Sequence, residues 1–563
     1  MKIWLGLYRA LVALLPPDIR RWYGADMMAD LEARLSGTRG LGRASRVGSA
    51  RRQGGSPGEW LASPRRGPAY CGSPRAPRRP TVPFHAPAMP LRVRDLTLCL
   101  ALLLGAPLAA QTPDVPTLDV QTLDGRFLGA AVDSLVRAHM ADGRVAGLTV
   151  AVSRGGDLLH LEGYGMADVE LDARTPQDAV YQVGSVTKQF TAVLALLLAE
   201  EGVLDLDADI TTYEPRFRTR GRPLPVRRLL DHTSGMKGYT ESAVFGEIFT
   251  RDLPPDTLLR LMEREPWDFP PGEGLIYNNT AYFLMGRILE EATGSTYAEL
   301  LEDRLLGPLG MDRSHYCDVS RMVPGRTEGY QVTPEGLGRA PYINHQWPYA
   351  AGSLCSTAAD LVRWNRALHG GEVLSDASYR LLVTPEPLTD GSPVLYAKGL
   401  VHRNGPHGEV IEHGGGIFGF SSEVRYFPDD GLTLVVLQNT AGPRGAAAVV
   451  DGLEDLLRPA VPAPTEVAFD GDVTALTGRY VGPSRGTELA MTVTLEGGAL
   501  RAAANGGEPA ELTHVGDGVF VRGESRVWWV DDRGRVVGRD QGVGAPTGMR
   551  VQQTYGVYAL TRR

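Results

Sequence analysis

The stretch Tyr181–Gly202 constrains this chain more than any other. Ser185 is followed three residues later by Lys188, and soon after by Thr191-Ala192-Val193-Leu194-Ala195-Leu196-Leu197-Leu198-Ala199. The run has no proline and no internal glycine, and Gly202 is a natural helix stop. The pattern predicts a largely buried helix with Ser185 at its start and Lys188 one turn on, sharing its face. A serine hydroxyl is a poor nucleophile until a neighbour takes its proton, and a desolvated lysine amine can do so. The helix N-terminus adds partial positive charge near the reacting oxygen. Taken alone, Ser-x-x-Lys is more often an ordinary helix start with a surface lysine, so the motif needs company.

Two later stretches supply candidates. Pro270-Pro271-Gly272-Glu273-Gly274 forces a loop that leads through Tyr277 and Asn279 into a helix running to Thr293, with Gly294 as its cap. Tyr277 and Asn279 are two apart and can face one side of an extended loop. A phenol beside a lysine ammonium can have a lowered pKa and pass protons. The Asn279 amide can donate to a substrate carbonyl and accept from Lys188. The plain alternative is an aromatic plug followed by an N-cap. Farther on, His413-Gly414-Gly415-Gly416 opens an alternating strand that turns at Pro428–Gly431 into Leu432–Asn439. Glycines there leave room for a substrate backbone along the strand edge, and their N–H groups can receive an oxyanion. His413 by itself reads equally as a satisfied structural histidine. Asp231, His232 and Ser234 are too close in sequence to assemble a triad and read as a loop wall. No Gly-x-Ser-x-Gly elbow occurs.

Ser185-x-x-Lys188, Tyr277-x-Asn279 and His413-x-Gly415, in that order, resemble the serine β-lactamase and penicillin-binding-protein superfamily. The likeness is greatest to its class C-like branch of esterases, D-amino-acid peptidases and D,D-carboxypeptidases, and it spans residues 127 to about 450. The loop Leu229–Gly235 and the stretch Ala351–Trp364 also look typical of that branch. The resemblance implies an α+β fold, an antiparallel sheet covered by helices, with the site where sheet and helices meet. It further implies that Ser185 is acylated and that Lys188 holds or takes its proton. Tyr277 would act as general base and acid, Asn279 would orient substrate, and His413 would line the strand side. The N–H groups of Ser185 and Gly416 would form the oxyanion hole beside Gly415. No metal or cofactor is implied. Many members carry a lysine where His413 stands. Histidine is mostly neutral at pH 7, so a cation that anchors a substrate carboxylate is missing, which disfavours β-lactams.

After the linker Pro459–Pro464 the texture changes. Short alternating runs, Leu489–Leu495 and Ser525–Val530, are separated by Gly-rich turns. They predict a small all-β barrel or sandwich over residues 464–563, similar to lipocalin-like domains appended to this branch. Trp528 and Trp529 should point to opposite faces, one into the core and the other partly exposed.

Charge is uneven. Residues 1–95 hold 17 Lys+Arg and 6 Asp+Glu, leaving 41 and 60 for the rest of a chain whose net charge is -8. That balance argues against a nucleic-acid partner. Residues 1–35 read as two short helices resembling the leader helices of bacterial ABC-type permeases, and 36–88 as a disordered Arg/Pro/Gly/Ser tract. Residues 89–110 have the basic start, apolar centre and small-residue exit of a secretory signal peptide, too short for a stable membrane span. The working start is therefore expected at Met89, with residues 1–88 absent from the mature protein. Export to the periplasm or beyond permits a Cys317–Cys355 disulfide. The chain thus reads as an exported serine hydrolase acting on an ester or a short D-amino-acid-containing peptide. The competing reading is a non-turnover sensor of β-lactams or peptidoglycan fragments, or a structural relative.

Overall fold

The structure, a computed structural model, describes residues 125–563 apart from positions 319, 463, 541 and 542. The basic leader and the signal-peptide segment lie outside the described residues. The central sheet has seven antiparallel strands: β1 (Gly147–Arg154), β2 (Asp157–Asp168), β3 (Ala173–Arg174), β4 (Val401–Gly405), β5 (Gly408–Ile417), β6 (Phe420–Phe427) and β7 (Leu432–Gln438), ordered β4-β5-β6-β7-β1-β2-β3. β1 and β2 form the hairpin expected around Gly155-Gly156, and β1 closes the sheet centrally by pairing Val150 with Val436 of β7.

Both sides of this sheet are covered, so β1 is buried on both faces. Leu148, Val150 and Val152 pack with Val132 and Val136 of α1 (Gly125–Met140). The opposite face meets α2 (Thr187–Glu200), where Phe190 and Val193 share a core with Ala151, Val435 and Leu437. Eleven residues of α2 are buried, which explains its lack of a polar face. α3 (Asn279–Thr293) packs beside α2 and ends at Gly294 in the left-handed conformation, φ 74°. Behind the helical side, α4 (Ala358–His369) stacks Trp364 on Phe190 with ring centroids 4.0 Å apart. On the α1 side, α5 (Ala446–Leu457) contributes Val449, Val450 and Leu453. Cys317 and Cys355 are joined in a disulfide, with Cα atoms 5.1 Å apart. Among the described residues no helix is long and apolar enough to cross a membrane.

The C-terminal residues form a second antiparallel sheet that curls into a nearly closed barrel. Its strands are β8 (Gly478–Pro483), β9 (Glu488–Glu496), β10 (Ala499–Ala504), β11 (Ala510–Glu511), β12 (Thr513–His514), β13 (Phe520–Arg522), β14 (Ser525–Val530), β15 (Gly548–Gln553) and β16 (Gly556–Arg562). The order is β11-β10-β9-β8-β16-β15-β14-β13-β12, and only Leu512 separates the two outermost strands. Tyr480, Met491, Val527, Trp529 and Met549 fill the inside. At its start, on the side opposite β15, β16 also pairs with the short strand Leu275–Ile276, Gly556 opposite Ile276 and Val557 opposite Leu275. The expectation of one partly exposed tryptophan fails for this reason. Trp528 does point out of the barrel, but it is buried with Leu275, Tyr277, Tyr396 and Val557, where barrel and hydrolase core meet.

Candidate active site

Ser185 lies in a single 3-10 turn, Gly184–Val186, that runs directly into α2. Gly184 makes the turn possible, with φ 52° and a position where a Cβ would come within 3.0 Å of the Gly416 nitrogen. The Thr187 hydroxyl donates to the Gly184 carbonyl at 2.6 Å and accepts from the Leu354 N–H at 3.0 Å. From the sheet side, the Ser422 hydroxyl donates to the Val183 carbonyl at 2.8 Å. The turn is thereby fixed from α2, from the 354 segment and from β6. Ser185 itself is half-buried.

Lys188 is fully buried, with its Nζ 3.1 Å from Ser185 Oγ, 2.9 Å from Asn279 Oδ1 and 2.7 Å from the Ala351 carbonyl. Burial holds its pKa well below the usual lysine range, reinforced by the Arg485 cation and opposed by Glu241. The ammonium can donate to all three oxygens, while the neutral amine that burial favours donates to two. Asn279 Oδ1 and the Ala351 carbonyl can only accept, so they take the two N–H groups. The lone pair is left facing Ser185 Oγ, positioned to receive that hydroxyl's proton.

Asn278, one residue earlier than the sequence suggests, caps α3 by accepting from the Ala281 N–H at 3.0 Å. Asn279 is thus spared for the site, accepting from Lys188 and donating from Nδ2 to Thr240 Oγ1 at 3.2 Å. The Tyr277 ring has Lys188 Nζ 4.7 Å from its centroid. Its hydroxyl is buried and makes no well-aligned hydrogen bond, though it lies close enough to Ser185 to be influenced by it. Here the expectation of a lowered phenol pKa is corrected. Burial raises it, outweighing the Ser185 hydroxyl and the Arg485 cation, so Tyr277 keeps its proton at neutral pH. His232 is the wall expected of its loop. At φ 60° its Nδ1 accepts from the Asn278 N–H at 3.1 Å, and its ring packs 4.3 Å from Tyr277 and 4.4 Å from Tyr396.

His413 sits on β5, 6.1 Å ring to ring from Tyr277. Its Nδ1 bonds the Gly414 carbonyl at 2.6 Å and its Nε2 the Tyr396 hydroxyl at 3.0 Å. A carbonyl only accepts, so Nδ1 carries the proton and Nε2 receives the Tyr396 O–H. Burial, aided by the nearby Lys188, lowers the His413 pKa to about 3, which makes the ring neutral. With both nitrogens engaged and 1% exposure, His413 supports the wall from behind. The glycines after it differ in purpose. A Cβ on Gly415 would come within 2.1 Å of the Val183 carbonyl, so this glycine makes room for the turn holding Ser185, not for substrate. A Cβ on Gly416 would meet nothing within 4 Å, so that position opens onto the cleft.

Three participants carried no sequence signal. The Tyr555 hydroxyl, from the barrel, accepts from the Gly414 N–H at 3.0 Å. Tyr396 belongs to no motif. Arg485, in the turn between β8 and β9, places its guanidinium carbon 5.2 Å from the Tyr277 ring centroid and donates from Nε to Glu241 Oε1 at 2.7 Å. The Thr240 hydroxyl also donates to Glu241 Oε1, at 2.8 Å. A continuous chain of hydrogen bonds therefore runs from Lys188 through Asn279, Thr240 and Glu241 to Arg485. Only the tertiary fold joins these residues, which are up to some 300 positions apart.

Residues 132–457 match the β-lactamase family model. The chain is 28% identical over 335 residues to penicillin-binding protein 4* of Bacillus subtilis (strain 168), covering 56% of this chain and 71% of that protein. It is 28% identical over 383 residues to a D-aminopeptidase of Gluconobacter oxydans (strain 621H), covering 66% and 70%. Among solved structures, a D-stereospecific amidohydrolase from Streptomyces sp. superposes with a TM-score of 0.50 at 28% identity, over 57% of this chain and 97% of that one. The motifs, the sheet-and-helix architecture and a family match over more than half the chain lead to one conclusion: the protein belongs to the serine β-lactamase and penicillin-binding-protein superfamily and is a serine hydrolase.

Proposed function

We propose that the protein is an exported hydrolase that cleaves an ester or a D-amino-acid-containing amide through an acyl-enzyme on Ser185. The observation that carries this reading is the Lys188 amine, buried, 3.1 Å from Ser185 Oγ, with its two N–H groups claimed by pure acceptors. Ser185 Oγ attacks the substrate carbonyl carbon while its proton passes to Lys188. The N–H groups of Ser185 and Gly416 receive the oxyanion. When the tetrahedral adduct collapses, the Tyr277 hydroxyl protonates the leaving group, and Lys188 restores the phenol's proton. Water then attacks the acyl-serine with the same groups working in reverse. Asn279 holds both Lys188 and the substrate carbonyl.

The substrate class rests on the relatives' names, a D-aminopeptidase and a D-stereospecific amidohydrolase, and on the neutral His413. Export, with removal of residues 1–110, is supported by the signal-like segment and the Cys317–Cys355 disulfide. The hydrolase unit is taken as residues 127–458 and the lipocalin-like barrel as 464–563. The test combines a fluorophosphonate label with turnover of p-nitrophenyl esters and D-alanyl peptides by residues 111–563. Ser185-dependent labelling with turnover is the expected result. Labelling without turnover of any substrate favours a sensor, and loss of neither signal in Ser185→Ala refutes the assignment of the nucleophile.

A further inference from the structure

We infer that Arg485, supplied by the C-terminal barrel, is the anchor for a carboxylate on the leaving-group side of the substrate. This rests on the hydrolase reading above and narrows its substrate class to esters or amides whose leaving group carries an acid next to the scissile bond. β5 lacks a cation, because neutral His413 faces Tyr396 and its own backbone. The cation comes from the other wall. Arg485 and Lys188 both lie against the Tyr277 ring, at 5.2 and 4.7 Å from its centroid. Tyr277 is the group that meets the leaving atom, so a charge over its ring lies on the leaving-group side.

The placement is built. β8 and β9 are joined by the turn Ser484-Arg485-Gly486-Thr487, closed by the Ser484 N–H to the Thr487 carbonyl at 2.9 Å. Gly486 has φ 73°, and a Cβ there would come within 3.0 Å of Glu241 Cγ, so the tip of the turn is seated directly on Glu241. Glu241 is 10% exposed and aims the guanidinium through Nε alone. The Arg485 side chain is 48% exposed, and among the described residues no hydrogen bond to its two terminal nitrogens is found. Those nitrogens form the flat edge that binds a carboxylate with two parallel hydrogen bonds.

The test compares two phenylacetylglycyl aryl esters, one of 3-hydroxybenzoate and one of 3-hydroxybenzamide. They share acyl group and ring and differ in the leaving-group charge. Charged hydrogen bonds of this kind are worth about 1.5–3 kcal/mol, which corresponds to roughly 10- to 100-fold. In Arg485→Ala the ratio of kcat/KM for the acid over the amide should fall by that factor, chiefly through KM, and Arg485→Lys should restore part of it. Glu241→Gln, which removes a competing carboxylate, should raise the ratio. An unchanged ratio in Arg485→Ala, including a parallel fall for both esters, overturns the anchor. Absence of Ser185-dependent turnover of either ester by the parent protein overturns the hydrolase reading itself.

Discussion

Replacing Lys188 with methionine probes the centre of this site with little change in side-chain length. Among the described residues, the substitution removes the one amine hydrogen-bonded to Ser185 Oγ. General-base catalysis contributes typically about 10²–10⁴-fold, or about 3–5 kcal/mol of barrier at 1.36 kcal/mol per decade. Two buried acceptors, Asn279 Oδ1 and the Ala351 carbonyl, also lose their donor, each at about 1–3 kcal/mol. Against this, the variant no longer buries an ionisable amine, which offsets part of the loss. The net effect expected is a fluorophosphonate labelling rate lower by about 10²–10⁴ and a folding stability lower by about 1–3 kcal/mol. The assay is single-turnover labelling across pH 5–10, paired with urea unfolding. The parent rate should climb with pH as Lys188 loses its proton, with the rise complete well below the ordinary lysine pKa, and the variant should show no such rise. If Lys188→Met labels as fast as the parent and unfolds at the same urea concentration, the assignment of the base is wrong.

Gly415→Ala drives a Cβ into the Val183 carbonyl, so labelling of Ser185 should collapse even though no polar group is lost, whereas Gly416→Ala should keep the fold and impair only substrate entry; melting curves and labelling rates separate the two. Breaking the Cys317–Cys355 disulfide, which closes a separation of 38 residues, should cost about 4 kcal/mol in the chain-entropy picture, measured by urea unfolding of Cys317→Ser/Cys355→Ser. His413 and His369, with pKa values lowered to about 3, and His345, lowered to about 4, are neutral in the fold because they are buried. The unfolded chain protonates them near 6.5, so their stability contribution is complete above that pH. It drains away as the pH drops toward 4, by up to about 1.4 kcal/mol per unit and per histidine, which unfolding midpoints at pH 7, 5.5 and 4.5 will show.

Much of this architecture could be read in advance because its signals are local. The apolar run after Lys188, the Gly155-Gly156 turn and the stop at Gly294 each declare an element within a dozen residues. The three motifs also appear where side chains and backbone have to be particular residues. What escaped was produced by contact between distant segments. Nothing in Pro483-Ser484-Arg485-Gly486 distinguishes a surface turn from one seated on Glu241. The outward face of β14 looks half-exposed until Tyr277, Leu275 and Tyr396 are found covering Trp528. The Tyr277 pKa went the opposite way because burial, invisible in sequence, outweighs the Ser185 hydroxyl and the Arg485 cation.

The pairing of β16 with Leu275–Ile276 means that the last strand of the barrel begins against the two residues preceding Tyr277. The appended module is thereby a structural member of the candidate site and not a passenger. Cutting the chain at the Pro459–Pro464 linker would strip the backbone partner from the segment that presents the phenol, uncap the Gly414 N–H, and expose the apolar seam around Trp528. Anyone seeking a minimal version of this hydrolase should expect the shortened chain to lose the alignment of Tyr277 before it loses its helices.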